Sequence, residues 1–216
     1  MTLSHKGYPM RAASLAAAAR RLAEETEAKT GKRAPFDLIF MTDRKRAPNP
    51  QAVIRALNPA GNRRAAVIFR DYDAPHRARL ARHLSALCKS RRVTFLVAGD
   101  AKLAAAVDAD GVHWPAFKLA TAKKTAGLIT AACHNEAEIA AANRLGVDAV
   151  LLSPVFETAS HPGAEAMAVD RLARLMRKTA VPVFALGGVD HNAVSHLKGR
   201  GFSGIAAIGA FNPYSS

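Results

Sequence analysis

Two short apolar runs near the end of the sequence, each closed by glycine, limit the folds that this chain can adopt. The first, residues 181–186, leads into Gly187 and Gly188, and the second, residues 204–208, leads into Gly209. Adjacent strands that end in glycine can direct bare backbone N–H groups at one anion. A barrel of alternating strands and helices often binds phosphate after its last two strands. The two runs therefore predict a phosphate site, provided that the rest of the chain forms such a barrel.

The rest of the chain repeats the same strand-and-helix unit. The predicted strands are residues 37–42, 65–70, 93–97, 111–113, 127–132, 149–152, 181–186 and 204–208. They are apolar on successive residues, as is typical of strands buried on both faces. The predicted helices between them are residues 50–57, 75–87, 101–107, 135–145, 168–178 and 192–198. The Gly-x-Gly-x-x-Gly sequence of a dinucleotide-binding sheet is absent after the first strand. We therefore expect an α/β protein with a single (β/α)8 TIM-type barrel.

The two ends of the chain depart from a regular barrel. Residues 10–28 have the pattern of an amphipathic helix, with Leu15 and Leu22 on one face. After the eighth strand the sequence leaves too few residues for a full outer helix. We expect residues 1–36 to form an N-terminal extension whose helix packs on the barrel of residues 37–216. That helix would help to fill the gap left by the truncated last helix.

The charge of the chain is strongly positive and uneven. The formal net charge is +14, and residues 1–108 hold 21 Lys and Arg against 9 Asp and Glu. Such a field favours anionic ligands. The basic residues are scattered, few aromatic residues accompany them and no recognition motif occurs, so nucleic acid is a poor candidate. No apolar run approaches the length that spans a membrane. The two cysteines lack metal-type spacing, which favours a reducing, cytoplasmic setting.

Polar residues at the predicted carboxyl ends of the strands are the candidates for chemistry, because barrel active sites lie there. Arg70 ends a strand and could hold phosphate, or it could pair with Asp71 or Asp43. Asp100 could be the N-cap of the next helix, or it could bind Mg²⁺ if a second carboxylate lay near.

A histidine and a long loop follow the next two strands. His134 precedes a helix start, which favours a neutral imidazole able to exchange protons near neutral pH, although a purely structural role beside the cap is equally open. Residues 153–163 form a hydroxyl-rich loop that could cover an anionic substrate or simply connect two elements.

A set of short motifs runs through the chain from residue 108 onward. They are Asp108-Ala-Asp-Gly-Val-His113, His134 with Glu138, Gly146-Val-Asp-Ala-Val150, Ser153-Pro-Val-Phe-Glu-Thr158, Val181-Pro-Val-Phe-Ala-Leu-Gly-Gly-Val189 and Gly201-Phe-Ser-Gly-Ile-Ala206. The first half of the chain adds Leu38-Ile-Phe-Met-Thr-Asp43, Arg70 and Asp100. In this order the motifs resemble the thiamine phosphate synthase/TenI family over residues 37–211.

The resemblance implies an activity and a set of site residues. The synthase couples a pyrimidine diphosphate to a thiazole phosphate with Mg²⁺ on the leaving diphosphate, and some TenI proteins tautomerise the thiazole phosphate with a histidine at the place of His134. By this resemblance His134 and Arg70 are the catalytic residues and Asp100 is the metal ligand. The residues that would bind the substrate and its phosphate are Gly187, Gly188, Gly209, Ala210, Ser153, Thr158 and Ser160.

The sequence also departs from the synthase pattern. The Gln-x-Arg-x-Lys after the second strand is Ile68-Phe-Arg-Asp-Tyr72, so only the arginine remains. The Gly-Gln-x-Asp that supplies a second Mg²⁺ ligand is Trp114-Pro-Ala-Phe117, and Thr-x-Thr-Lys is Thr158-Ala-Ser-His161. The serine expected two residues before His134 is Ala132. The phosphate end therefore matches better than the diphosphate and pyrimidine end.

Three hypotheses follow from the resemblance. The first is a diverged thiamine phosphate synthase, a transferase of thiamine biosynthesis or salvage. The second is a TenI-like isomerase in which His134 moves a proton. The third is a non-catalytic barrel that binds a phosphorylated ligand. A homodimer is compatible with each of them.

Overall fold

The computed structural model describes residues 7–57, 64–157 and 167–212 and shows a closed barrel of eight parallel strands. The strands are β1 (Leu38–Met41), β2 (Ala65–Phe69), β3 (Thr94–Ala98), β4 (Gly111–Trp114), β5 (Leu128–Cys133), β6 (Ala149–Leu152), β7 (Val183–Ala185) and β8 (Gly204–Ala207). Each strand pairs with the next along the chain, and β8 closes the barrel on β1. The predicted fold class is confirmed.

Successive residues of each strand face the barrel interior and the surrounding helices in turn, because side chains point to opposite faces along a strand. Ile39, Ile68, Leu96 and Leu151 belong to one buried cluster that fills the barrel. Their neighbours, such as Phe40, pack in a second cluster beneath the helices. The successive apolar residues of each run therefore reflect burial on two faces.

The interior positions continue past the ends of the strands. Arg70 follows Ile68 by two residues, and Asp100 follows Ala98 by two. His134 continues the positions of Thr130 and Ala132 in the same way. The alternation therefore brings Arg70 and His134 to the inner rim at the carboxyl end of the barrel. It does not extend to Asp100, because Gly99 has a positive φ and breaks the extended backbone.

Seven α-helices are present among the described residues. They are α1 (Gly7–Thr30), α2 (Pro50–Leu57), α3 (Arg77–Ser90), α4 (Ala101–Ala106), α5 (Ala116–Leu119), α6 (Glu136–Leu145) and α7 (Val169–Lys178). The cap signals of α6 are in place: the Asn135 side chain accepts from the N–H of Glu138 at 3.0 Å, and Gly146 ends the helix with φ 71°.

The connection after β7 differs from the predicted α-helix over residues 192–198. It is a short 3₁₀ segment, Ala193–Leu197. The Asp190 carboxylate accepts hydrogen bonds from the N–H groups of Asn192 and Ala193, which starts a tight turn. Gly199 and Gly201 follow with positive φ, and the helix ends before them because a right-handed helix requires negative φ.

Helix α1 packs on α2, β1, β8 and the 3₁₀ turn Gly209–Phe211 that follows β8. Leu15 and Ala19 are fully buried in this contact, and the Thr26 hydroxyl donates to the Phe202 carbonyl at 2.7 Å. The helix therefore lies where a regular barrel has its last outer helix. The domain boundary at residue 36 stays a prediction. No helix in the described ranges is both long and apolar enough to cross a membrane.

Candidate functional site

An open cleft of about 710 Å³ lies where β7 and β8 end. Gly187, Gly188, Gly209 and Ala210, which the sequence predicts to bind phosphate, all line it. Residues from the start of the chain, where β1 pairs with β8, complete the wall. They are Arg11 from α1 and Lys45 and Arg46 from the segment after β1. The structure thus brings the four predicted backbone positions together and adds three cationic residues.

The backbone at Gly188 requires glycine, and this exposed residue lines the cleft. Its φ is +65°, and a Cβ there would lie 2.4 Å from the Glu157 carbonyl oxygen and 2.7 Å from Cβ of Phe156. No acceptor in the described part of the chain takes a hydrogen bond from the N–H of Gly187 or Gly188. Backbone N–H groups without a protein acceptor in the lining of a cleft are candidates for binding an anion.

Arg70 pairs with Asp43, one of the two partners considered from the sequence. Its Nη2 donates to Oδ2 of Asp43 at 2.6 Å, and Nε of Arg46 donates to the same oxygen at 3.0 Å. Burial raises the pKa of Asp43, but the hydrogen bond and charge of Arg46 outweigh it and hold this pKa below its ordinary value. One carboxylate thus links two guanidinium groups, so the local charge remains positive.

Asp71 has a different role from Asp43. It lies on the outward-facing position after Arg70, where its Oδ1 accepts from the backbone N–H of Arg44 at 2.9 Å and from Nε of Arg44 at 3.4 Å. The pair of Arg70 with Asp71 that the sequence left open does not form. Asp71 instead fixes the start of the loop that follows β1.

Asp100 is the N-cap of α4 and also forms an ion pair. Its Oδ1 accepts from the N–H of Leu103 at 2.9 Å, and its Oδ2 accepts from Nη1 of Arg77 at 3.1 Å. The same guanidinium donates to the Ala98 carbonyl at 3.1 Å and lies over the Phe69 ring. The N-cap expectation is confirmed.

The residues around Asp100 do not fit a magnesium ion. No group of three or more His, Cys, Asp or Glu that could hold a metal occurs within residues 7–57, 64–157 and 167–212. The position of the second carboxylate holds Phe117, whose side chain is exposed. A fixed guanidinium 3.1 Å from Oδ2 of Asp100 opposes any cation placed there.

His134 lies on the inner rim after β5 with its imidazole oriented by β6. Its Nδ1 lies 2.7 Å from the Ser153 carbonyl oxygen and 3.2 Å from the Ser153 hydroxyl. A carbonyl only accepts, so Nδ1 carries the hydrogen and the neutral ring has its lone pair on Nε2. This tautomer leaves Nε2 able to accept a proton.

The backbone of His134 is also held from two sides. The Glu138 carboxylate accepts from its N–H at 2.6 Å, and Nη2 of Arg171 donates to its carbonyl at 2.9 Å. The sequence indicated that Glu138 is part of a capping box, in which its carboxylate would accept from the N–H of the N-cap residue Asn135. In the structure the carboxylate accepts from the N–H of His134, one residue earlier. Ser153 is nearly buried and contacts His134, whereas Thr158 and Ser160 lie outside the described residues.

A second histidine lies deeper in the barrel. His113 is buried on β4, and its Nδ1 lies 2.9 Å from the Thr130 hydroxyl. Burial, and to a lesser degree the charge of Arg70, lowers the pKa of His113 to about 3. The imidazole is therefore neutral and forms part of the floor beneath Arg70.

Sequence reasoning missed Arg11, Lys45 and Arg46 as lining residues. A signal was present, because only two residues separate the end of β1 from the basic run Arg44-Lys-Arg46. Barrel closure on β8 places that segment beside Gly209, and this neighbourhood is visible only once the barrel is known to close. Arg11 lies on a helix outside the repeating unit and carried no such signal.

Comparison with known proteins gives consistent similarities. The family described as thiamine monophosphate synthase matches residues 38–211. A protein of Aquifex aeolicus, provisionally named thiamine-phosphate synthase 2, is 30% identical over 179 residues, 81% of this chain and 96% of that protein. A thiamine-phosphate synthase of Prochlorococcus marinus is 33% identical over 143 residues, 62% of this chain and 41% of that protein. The solved structure of thiamine phosphate pyrophosphorylase from Pyrococcus furiosus has a TM-score of 0.64 and 26% identity, covering 79% of this chain and 84% of its own.

Proposed function

Because this chain belongs to the thiamine monophosphate synthase family, we propose that it is a transferase of thiamine biosynthesis or salvage. Its substrates would be a thiazole phosphate and a pyrimidine diphosphate. The thiazole nitrogen forms a bond to the pyrimidine methylene carbon while the bond from that carbon to the diphosphate oxygen breaks. The diphosphate leaves with the bonding electrons, and the product is thiamine phosphate.

The phosphate end of the reaction has the clearest structural support. Gly187, Gly188 and Gly209 all line the cleft, and no acceptor among the described residues takes a hydrogen bond from the N–H of Gly187 or Gly188. A phosphate monoester offers oxygens to several N–H donors at once. The presence of glycine backbone with unpaired N–H groups in the lining of one cleft is the observation that carries the proposal.

We propose that Arg70 stabilises the negative charge of the leaving diphosphate. Arg70 lies on the inner rim with one N–H group on Asp43, which orients the guanidinium and leaves further N–H groups for an anion. Arginine stabilises developing negative charge on a leaving phosphate group. We derive no step through Mg²⁺, because the surroundings of Asp100 do not fit it.

The proposal is tested by calorimetric titration with thiazole phosphate, followed by an assay of diphosphate release from both substrates. We expect Gly188→Ala to lose most phosphate-ester affinity, since a Cβ there would collide with Glu157 and Phe156. Gly199→Ala is the matched control, because Gly199 has φ +74° and nothing within 4 Å of its Cβ position. A wild-type chain that binds no phosphate ester would contradict the proposal. Binding without turnover in any assay would instead support the non-catalytic barrel.

One observation favours the isomerase as a second candidate. The hydrogen bond from Nδ1 of His134 to the Ser153 carbonyl leaves Nε2 free to accept a proton from a bound thiazole. If His134 is the base, His134→Ala abolishes solvent-deuterium exchange into thiazole phosphate and leaves its affinity nearly unchanged. Retention of that exchange in the variant would exclude this role.

The cytoplasmic setting and the homodimer belong to the same proposal. The catalytic roles of Arg70 and His134 and the substrate contacts of Ser153, Thr158 and Ser160 belong to it as well. Light scattering during size exclusion measures the subunit number directly. A nucleic-acid role, ranked last, requires affinity that falls steeply with salt concentration.

A further inference from the structure

Part of the cleft wall is formed by residues from the start of the chain. Arg11, Lys45 and Arg46 line it, and they come from α1 and from the segment after β1. The two carboxylates in the same lining are Glu157 and Asp190, and Asp190 already accepts from two amides at the start of the 3₁₀ segment. Arg46 shares the Asp43 carboxylate with Arg70, so the three Lys and Arg side chains leave this lining positively charged.

The segment after β1 is fixed to the turn after Gly209. β1 lies beside β8, with Phe40 paired to Ala207. The Asn212 side chain donates to the Arg46 carbonyl at 3.2 Å, and the Asn212 amide donates to the Gly209 carbonyl at 2.8 Å. Asn212 thus holds the backbone of Arg46 close to Gly209.

The position of Arg11 is set by the direction of α1. Thr26 near the end of α1 bonds to Phe202, just before β8 begins, whereas Arg11 near its start lines the cleft where β8 has ended. The helix therefore runs antiparallel to β8. Ala12 and Leu15, the next buried positions after Arg11, anchor this end of the helix on the barrel.

On the basis of the proposed function, we propose that Arg11, Lys45 and Arg46 form a cationic wall that selects a dianionic phosphate monoester over the corresponding alcohol. These cations lie on α1 and on the loop after β1, whose backbones are held by the buried Ala12 and Leu15 and by the hydrogen bond from Asn212 to the Arg46 carbonyl. Little backbone ordering is therefore needed when an anion binds. The N-terminal helix thereby contributes to the site as well as to the fold.

The test compares matched charge removals by calorimetric titration at low ionic strength. Arg11→Gln and Lys45→Gln remove cleft cations, whereas Arg20→Gln on the same helix and Lys102→Gln on α4 remove exposed cations outside the cleft lining. The ligands are thiazole phosphate and the thiazole alcohol. We expect each cleft variant to weaken thiazole phosphate binding about fivefold and to leave the alcohol unchanged.

Wild-type affinity for thiazole phosphate in both cleft variants would overturn the inference while leaving the proposed function intact. An equal loss in the two control variants would also overturn it, because the effect would then be one of net charge. A wild-type chain that binds no phosphate ester overturns both proposals. Melting temperatures of all four variants show whether a lost affinity reflects a lost fold.

Discussion

Nη1 of Arg77 lies 3.1 Å from Oδ2 of Asp100, where the family resemblance places a metal ligand. The other oxygen of Asp100 caps α4 through the N–H of Leu103. Arg77 also donates to the carbonyls of Ala98 and Asp71, so the guanidinium is held from three sides. A positive group fixed by the chain thus occupies the surroundings of the carboxylate.

The first prediction is that the chain does not hold a divalent cation at Asp100. Titration with Mn²⁺, followed by electron paramagnetic resonance, is expected to show no tight site, and EDTA is expected to leave thiazole phosphate affinity unchanged. Arg77→Met removes the opposing charge while keeping an apolar stem over Phe69. Tight Mn²⁺ binding to the wild type that Asp100→Asn abolishes would contradict this assignment.

The second prediction concerns Asp43, which links Arg70 to Arg46. Asp43→Asn removes the charge that both guanidinium groups share and is expected to lower the free energy of unfolding by about 1 kcal/mol at neutral pH. The folded-state pKa of Asp43 is lowered. Its contribution is therefore complete above its unfolded pKa of about 3.9 and is lost as pH falls through the folded value. Denaturant unfolding of both proteins should give a difference that shrinks in acid; a constant difference would refute the pairing.

The third prediction concerns the buried His113, whose pKa is lowered to about 3. In the unfolded chain a histidine takes up a proton below about pH 6.5, whereas folded His113 stays neutral. Its contribution is therefore complete above pH 6.5 and is lost as pH falls toward 3, by up to about 1.4 kcal/mol per pH unit. His113→Asn should flatten the loss of stability between about pH 6 and 4 relative to the wild type. Equal slopes for the two proteins would show that His113 protonates in the fold.

The fourth prediction concerns the N-terminal helix. Deletion of residues 1–30 removes the buried Leu15 and Leu22 and the bond from Thr26 to Phe202. We expect the melting temperature to fall by at least about 10 °C. Deletion of residues 1–6 alone is the control. A melting temperature that the longer deletion leaves unchanged would show that the barrel closes without α1.

The fold followed from the sequence because burial on two faces leaves a simple pattern. Each of the eight predicted runs overlaps an observed strand, and the ends differ by at most two residues. The cap of α6 was equally local, since Asn135 and Glu138 are three residues apart. The resemblance to the family is confirmed by the match over residues 38–211.

The site was less accessible to sequence reasoning because its contacts join distant parts of the chain. Asp100 was correctly expected to cap a helix, but its partner Arg77 lies 23 positions earlier and meets it only through the neighbouring ends of β2 and β3. Arg11 reaches the cleft through the packing of α1, which no local pattern encodes. The roles of His134, Ser153, Gly187 and Gly209 in binding or catalysis stay predictions.

The most direct test of the central claim is a crystal structure of the chain with thiazole phosphate. We predict that the phosphate lies between Gly188 and Gly209, within hydrogen-bond distance of the backbone N–H of Gly188 and facing Arg11 and Lys45. A phosphate bound elsewhere, with this cleft filled only by solvent, would contradict the account.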